Sequence, residues 1–266
     1  MKECSIPEVA ASVQAVGEFL TERQSARPWP GRTMAEALDA LAWVAEPATA
    51  LLRERLGVLR PRAGWLDGEY AAGVPGTGEW WCCDTVDGAA QYLNALPHWA
   101  VTATLLRDGE PVLAVVHAPL QRATYTAELG GGARLNGRPI APPERDPDTC
   151  VIGTGQPPTA GPAELRRAGD SLAAVAARVL AVRNLGPAAL QLAQVGSGQL
   201  NGFWEYGADP VTLLPGALIA REAGALVTDA EGRRWTPAAD TLLAAHPRLH
   251  PGLLDALALT GQLAHD

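Results

Sequence analysis

The sequence predicts an α/β fold, or a layered α+β fold, on three observations. Several stretches carry apolar residues at helical spacing, and shorter apolar runs bounded by turn residues are typical of strands. The two kinds of segment alternate along the chain, which favours layers of helices on sheets. The chain has 266 residues, of which 47% are hydrophobic and 19% are charged. It is therefore long enough to bury a sizeable core, in one large domain or in two lobes.

Two helices are expected at the start of the chain. Residues 6–24 have helical apolar spacing, and Ser5 stands where a capping residue would begin that helix. Thr33, followed three positions later by Glu36, has the pattern of a capping box for a second helix. Proline lacks the backbone N–H that a helix needs, so Pro47 is expected to kink or split this second helix.

An antiparallel sheet is expected over residues 99–128. The pair Asp108-Gly109 lies between two apolar runs and is a hairpin signal, and Asn136-Gly137 indicates another tight turn. The glycine run at 130–132 is interpreted as a plain turn, because no Gly-Lys-Ser/Thr follows it as in a phosphate-binding loop.

The second half of the chain is predicted to form alternating helices and strands. Six prolines fall between residues 141 and 163, and we interpret this stretch as the seam between two lobes, 1–140 and 141–266. After the seam the pattern predicts helices near 163–177, from Gly186 and over 213–224, and strands near 178–183, 202–205 and 225–229.

The bulk composition excludes several classes of protein. The formal net charge of −8 argues against general binding of nucleic acid, whose phosphate backbone is also negative. The four cysteines (Cys4, Cys82, Cys83 and Cys150) have no zinc-site spacing. Because the sequence has neither a signal-peptide pattern nor a long uncharged apolar run, we expect a cytoplasmic protein with no membrane contact.

One stretch, residues 80–89, combines the features of a functional site. Its apolar start predicts a buried strand that ends at Asp84, and Asp87 and Gly88 follow. A helix that begins at Ala89 would point its unpaired N–H groups back at the two acids. Two carboxylates suit Mg²⁺, and a helix N-terminus suits phosphate. The alternative is an ordinary Asp- and Gly-rich turn that caps a helix.

The same stretch resembles a known family. Residues 84–88, Asp-Thr-Val-Asp-Gly, resemble the Asp-Pro-Ile/Leu-Asp-Gly-Thr signature of the inositol monophosphatase superfamily. The resemblance extends through residues 96–101 and 132–137, and through Glu205-Tyr206-Gly207 and residues 221–225 near the C-terminus. It implies a layered αβαβα sandwich of the inositol monophosphatase and fructose-bisphosphatase type. It also implies a Mg²⁺-dependent phosphomonoesterase that acts on a small phosphorylated metabolite, and a homodimer.

The resemblance also assigns roles residue by residue. It implies that the catalytic carboxylates Glu69, Asp84 and Asp87 hold metal ions together with the carbonyl of Val86. One ion would activate a water molecule for attack on phosphorus. The amides of Gly88 and Ala89 would hold phosphate. The substrate-binding positions that remain are Gly186, Ala188, Glu205 and Thr212.

Several of these positions depart from the family pattern. The threonine that normally follows Asp-Gly, and helps to orient the water, is Ala89. Tyr70 replaces the second acid of the Gly-Glu-Glu motif, and Pro187 replaces the threonine of the Gly-Thr-Ala-Ala turn. The aspartate of the second signature aligns with Thr212, a poor ligand for Mg²⁺, and Asp209 lies three residues earlier.

Two functions are therefore compatible with the sequence. The first is a sugar, cyclitol or nucleotide phosphatase that works with a reduced metal set. The second is a reused scaffold that has lost phosphatase activity and serves as a binding or regulatory protein, or as an enzyme of different chemistry.

Overall fold

The structure is a computed structural model that describes residues 5–66, 74–155, 161–207 and 210–259. The first half of the chain forms helices α1 (Ile6–Thr21), α2 (Met34–Leu59) and α3 (Ala89–Leu93), and strands β1 (Gly64–Leu66), β2 (Glu79–Asp87), β3 (Ala100–Arg107), β4 (Glu110–Ala118), β5 (Ala123–Glu128), β6 (Gly132–Leu135) and β7 (Arg138–Pro139). The second half forms helices α4 (Pro162–Ala176), α5 (Ala188–Ser197), α6 (Pro210–Glu222) and α7 (His250–Leu259), and strands β8 (Val151–Thr154), β9 (Ala181–Arg183), β10 (Gly202–Tyr206), β11 (Leu226–Thr228) and β12 (Thr241–Ala245).

The elements stack in five layers, which confirms the predicted αβαβα sandwich. The first sheet has the strand order β1-β2-β3-β4-β5-β6-β7, and only its β1–β2 pair is parallel. The second sheet has the order β11-β12-β10-β8-β9. Helices α1 and α2 pack on the outer face of the first sheet, α5 and α6 lie between the sheets, and α4 and α7 cover the second sheet.

Both helix starts in the first layer are confirmed. Ser5 and Thr33 each form a capping box with the glutamate three residues on. Pro47 was expected to kink or split the second helix, and it does not split it, because α2 is one helix from Met34 to Leu59. The apolar residues of α2 that flank the proline are buried in the core, and this burial outweighs the roughly 3 kcal/mol that an interior proline costs.

The predicted tight turns are confirmed as two-residue hairpin loops. Asp108 and Gly109 connect β3 to β4 with φ angles of 50° and 83°. Asn136 and Gly137 connect β6 to β7 with φ angles of 50° and 78°. Positive φ at both central residues is the geometry that matches the twist of paired strands, and Asn-Gly and Asp-Gly are the pairs that adopt it most easily.

The division into lobes 1–140 and 141–266 remains a proposal. The strands of the first sheet fall before residue 140 and those of the second after it. However, α6 packs on β4 of the first sheet as well as on β11 of the second. Within the described ranges, every helix is too short or too polar to cross a lipid bilayer.

Candidate active site

The acidic corner lies on strand β2, which runs on to Asp87 instead of ending at Asp84 as predicted. Asp84 pairs with Thr102 of β3 and Asp87 with Ala100, so three steps along β2 match two steps along β3. This register shift is a β-bulge, which bends a strand and redirects its side chains. The strand therefore continues because β3 still pairs with it. Between the two acids, the bulge breaks the regular alternation of side chains between the two faces of the sheet.

The bulge fixes the carboxylate of Asp84 to its own backbone. Asp84 Oδ1 accepts a hydrogen bond from the N–H of Val86 at 2.8 Å, and the N–H of Asp84 donates to Thr102 Oγ1 at 3.2 Å. Asp84 is partly exposed, whereas Val86 and Asp87 are each only 5% exposed. One acid thus faces the solvent side of the corner and the other lies deeper.

The predicted turn at Gly88 meets a second turn from far along the chain. Gly88 has a φ of 94° and caps α3, and a Cβ atom there would lie 3.2 Å from Pro187 Cδ and 3.1 Å from the carbonyl oxygen of His98. A Cβ atom on Gly186 would lie 2.9 Å from the same oxygen. The fold therefore brings Gly88 and the Gly186 turn together around His98, although the two glycines are far apart in sequence.

Gln191 is a site residue that sequence reasoning missed. Its side chain is 1% exposed, and its Nε2 donates to the carbonyl oxygens of Gly186 at 2.9 Å and Thr154 at 3.1 Å. Gln191 Oε1 accepts from the N–H of Leu185 at 3.4 Å. One buried amide thus holds the Gly186 turn against the end of β8. The only sequence signal for this role of Gln191 is its position one turn into α5.

Glu205 lies on β10, next to the end of β8. It is 4% exposed, and a Cβ atom on Gly155 would fall 1.7 Å from Glu205 Oε2. Gly155 therefore leaves the space that the carboxylate fills. Because Gly155 directly follows Thr154, which Gln191 contacts, Glu205 is connected to the Gly186 turn through one short run of backbone.

The other predicted site residues lie at helix starts. Ala89 is the first residue of α3, and Ala188 is the first residue of α5 and is 8% exposed. Thr212 lies in the first turn of α6, which begins at Pro210, three residues before the predicted start. It is partly exposed, on a helix that packs against β2. Glu69, Tyr70 and Asp209 are outside the described residues.

The donor atoms at the corner fit a magnesium ion. In the described part of the chain no three His, Cys, Asp or Glu side chains are grouped as a metal site. Asp84, Asp87 and the carbonyl of Val86 nevertheless offer only oxygen, and Mg²⁺ is commonly bound through one or two carboxylates plus water and phosphate. The corner thus has the donor chemistry for one such ion.

The cysteines beside the acids do not provide a nucleophile. Cys82 packs in the core between the two sheets and Cys83 packs toward α1 and α2. Burial, together with the neighbouring Cys82 and Asp84, raises the pKa of the Cys83 thiol well above its usual value. A thiol with such a pKa stays protonated at neutral pH, and the thiolate is the reactive form.

The fold and the site together define a phosphatase-like scaffold with an acidic, oxygen-rich corner. Comparison with known proteins identifies its family. The model of the inositol monophosphatase family matches residues 8–261, and the chain belongs to that family.

Known relatives and solved structures agree with this assignment. An inositol-1-monophosphatase of Rhizobium meliloti (strain 1021) is 38% identical over 197 residues, which is 73% of each chain. A putative Nus factor SuhB of Neisseria meningitidis serogroup B is 34% identical over 171 residues, covering 64% of this chain and 65% of the relative. The crystal structure of extragenic suppressor protein suhB from Bartonella henselae superimposes with a TM-score of 0.80 at 26% identity, covering 97% of this chain and 100% of the other.

Proposed function

We propose that this protein is a Mg²⁺-dependent phosphomonoesterase that hydrolyses a small sugar, cyclitol or nucleotide phosphate. The observation that carries the proposal is the meeting of the bulged acidic corner with the Gly186 turn. Carboxylates for a cation and backbone turns suited to an anion lie side by side. The relative named inositol-1-monophosphatase supports the same function.

The metal-binding part of the proposal rests on β2. Asp84, Asp87 and the carbonyl of Val86 would hold Mg²⁺, with Glu69 as the further ligand that the family resemblance suggests. When bound, Mg²⁺ supplies charge neutralisation for the phosphate and activates a water molecule for attack on phosphorus. The hydrogen bond from Val86 to Asp84 Oδ1 fixes that carboxylate before the substrate arrives, which lowers the cost of forming the site.

The substrate-binding part of the proposal uses backbone and one acid. The amides of Gly88 and Ala89, at the start of α3, would donate to phosphate oxygens. The start of α5 at Ala188 contributes the positive end of a helix dipole, although Pro187 removes one N–H donor there. Glu205, which is buried on β10, would accept a hydrogen bond from a substrate hydroxyl.

A second candidate function is a scaffold that no longer hydrolyses phosphate and acts as a binding or regulatory protein. Ala89 and Thr212 stand where the family pattern has a water-orienting hydroxyl and a metal-binding acid. Relatives that carry the name Nus factor SuhB point the same way. For either function we propose a homodimer, by analogy with the family. A monomer mass in size-exclusion chromatography with light scattering would contradict this.

One experiment separates the two candidates. Phosphate release is measured with and without Mg²⁺ on a panel of inositol, sugar and nucleotide monophosphates. Mg²⁺-dependent turnover supports the phosphatase, and the preferred substrate identifies the leaving group that Glu205 selects. No release from any substrate by protein that is folded by circular dichroism favours the reused scaffold.

A further inference from the structure

A polar cavity of about 350 Å³ lies away from the acidic corner. Arg60 at the end of α2, Arg107 at the end of β3 and residues of β4, β5 and the turn after β5 line it. Arg107 pairs with Glu79, the first residue of β2, so the cavity lies near the start of that strand. Glu79 at this end is five residues before Asp84 on the same strand. Because a strand rises about 3.3 Å per residue, the two carboxylates start from backbone positions roughly 16 Å apart. The cavity is therefore separate from the proposed active site.

The unusual feature of this cavity is Arg60, the residue that caps the end of α2. Arg60 lines the cavity and is only 9% exposed. Among the residues that the structure describes, the carboxylate oxygen nearest to Arg60 is Glu79 Oε2, 3.9 Å from Arg60 Nη1 and beyond hydrogen-bond distance. Arg60 Nε is buried and has no hydrogen-bond partner in the described part of the chain. A buried guanidinium with unfilled donors is costly unless an anion pairs with it.

Glu79 meets this need only in part, because its Oε1 is bonded to another arginine and its Oε2 stays 3.9 Å from Arg60 Nη1. Arg107 faces Glu79 directly across the β2–β3 pair. Its Nε and Nη2 donate to Glu79 Oε1 at 3.1 Å and 2.9 Å. Two guanidinium groups thus converge on one carboxylate beside the cavity. The charged residues on the wall itself are Arg60, Arg107 and Glu128, and Glu128 is exposed and therefore screened by water.

We propose that this cavity binds a phosphate group, either as inorganic phosphate or on a small phosphorylated metabolite, between Arg60 and Arg107. Phosphate oxygens would accept the hydrogen bonds that Arg60 lacks, and the planar guanidinium matches phosphate geometry. The cavity is larger than one phosphate ion needs, and the partly exposed Val112 and the exposed Leu129 on its wall offer apolar surface to the carbon part of an ester.

The test measures binding by calorimetry in the presence of a metal chelator, with orthophosphate and with myo-inositol 1-phosphate as probes. The chelator removes binding that depends on Mg²⁺ at the acidic corner. Arg60→Met and Arg107→Gln should each weaken binding by about tenfold or more, as expected for the loss of a charge-assisted hydrogen bond. Glu79→Gln should tighten it several-fold, because a competing carboxylate is removed. Arg248→Gln is the control, since Arg248 is an exposed arginine paired with Glu144.

Each outcome decides the proposal. The proposal is supported if either probe binds, if Arg60→Met and Arg107→Gln weaken that binding and if Glu79→Gln tightens it. The probe that binds more tightly shows whether the site prefers inorganic phosphate or a phosphate ester. Absence of binding for both probes at about 10 mM, where a millimolar site is largely filled, would overturn it. Binding that is unchanged in Arg107→Gln and Glu79→Gln would also overturn it. Glu79 is partly exposed and Arg107 is exposed, each at the end of a strand, so the result stands even if Arg60→Met does not fold.

Discussion

Replacing Gly88 with alanine tests whether the meeting of the two turns holds the site together. Gly88 has a φ of 94°, and the matched control is Gly224, an exposed glycine with a φ of 99°. A Cβ atom on Gly224 would have no other atom within 4 Å. An L-residue in this conformation costs about 1–2 kcal/mol, and this cost is shared by both variants. A Cβ on Gly88 also meets the His98 carbonyl oxygen at 3.1 Å and Pro187 Cδ at 3.2 Å.

The contacts at Gly88 decide the size of the difference. The backbone of His98 and the ring of Pro187 cannot turn away as a flexible side chain can, and overpacking of this kind costs about 1–3 kcal/mol. We therefore expect Gly88→Ala to lose about 2–5 kcal/mol and Gly224→Ala about 1–2 kcal/mol of unfolding free energy. Urea unfolding with linear extrapolation measures both. Equal losses in the two variants would refute the close approach of the turns.

Three further predictions follow from the packing and the charges. Thr212→Asp should tighten Mg²⁺ binding in calorimetry, and no gain would mean that Thr212 is not at the metal site. Gly216→Ala should destabilise the fold by about 1–3 kcal/mol, because its Cβ would lie 2.6 Å from the Ala189 carbonyl oxygen of α5. Gly169→Ala, on the open face of α4, should instead raise the unfolding free energy by about 0.5–1 kcal/mol. If thermal unfolding finds Gly169→Ala less stable than Gly216→Ala, this packing is contradicted. Burial lowers the pKa of His250, so the unfolded chain binds the proton more readily and stability should fall as pH drops below about 6.5. His250→Gln should reduce that fall in urea unfolding between about pH 7.5 and pH 5, and an unchanged slope would exclude His250 as its source.

The parts of the fold that were predictable from the sequence are those set by neighbouring residues. The capping boxes at Ser5 and Thr33 and the hairpin turns at Asp108-Gly109 and Asn136-Gly137 depend on side chains within four positions of one another. Their geometry is local, and the sequence alone specifies it. The continuous α2 was not predictable in the same way, because burial on distant strands overrides the cost of Pro47.

The parts of the site that were not predictable depend on pairing between distant segments. The bulge between Asp84 and Asp87 is a property of the register with β3, which no residue of β2 specifies by itself. The role of Gln191 depends on the placement of Thr154 and Gly186 around its amide. The acids of residues 80–89 suggested a Mg²⁺ site by themselves, and the family resemblance assigned a role to each acid. Both remain proposals.

The most direct test of the proposed activity is Mg²⁺-dependent phosphate release by Asp84→Asn compared with Asp170→Asn. Asp170 is an exposed residue of α4, so its substitution controls for the loss of one negative charge. If Asp84 holds the metal, wild type and Asp170→Asn release phosphate only when Mg²⁺ is present, and Asp84→Asn releases none. An undiminished rate in folded Asp84→Asn would contradict the placement of the metal on β2.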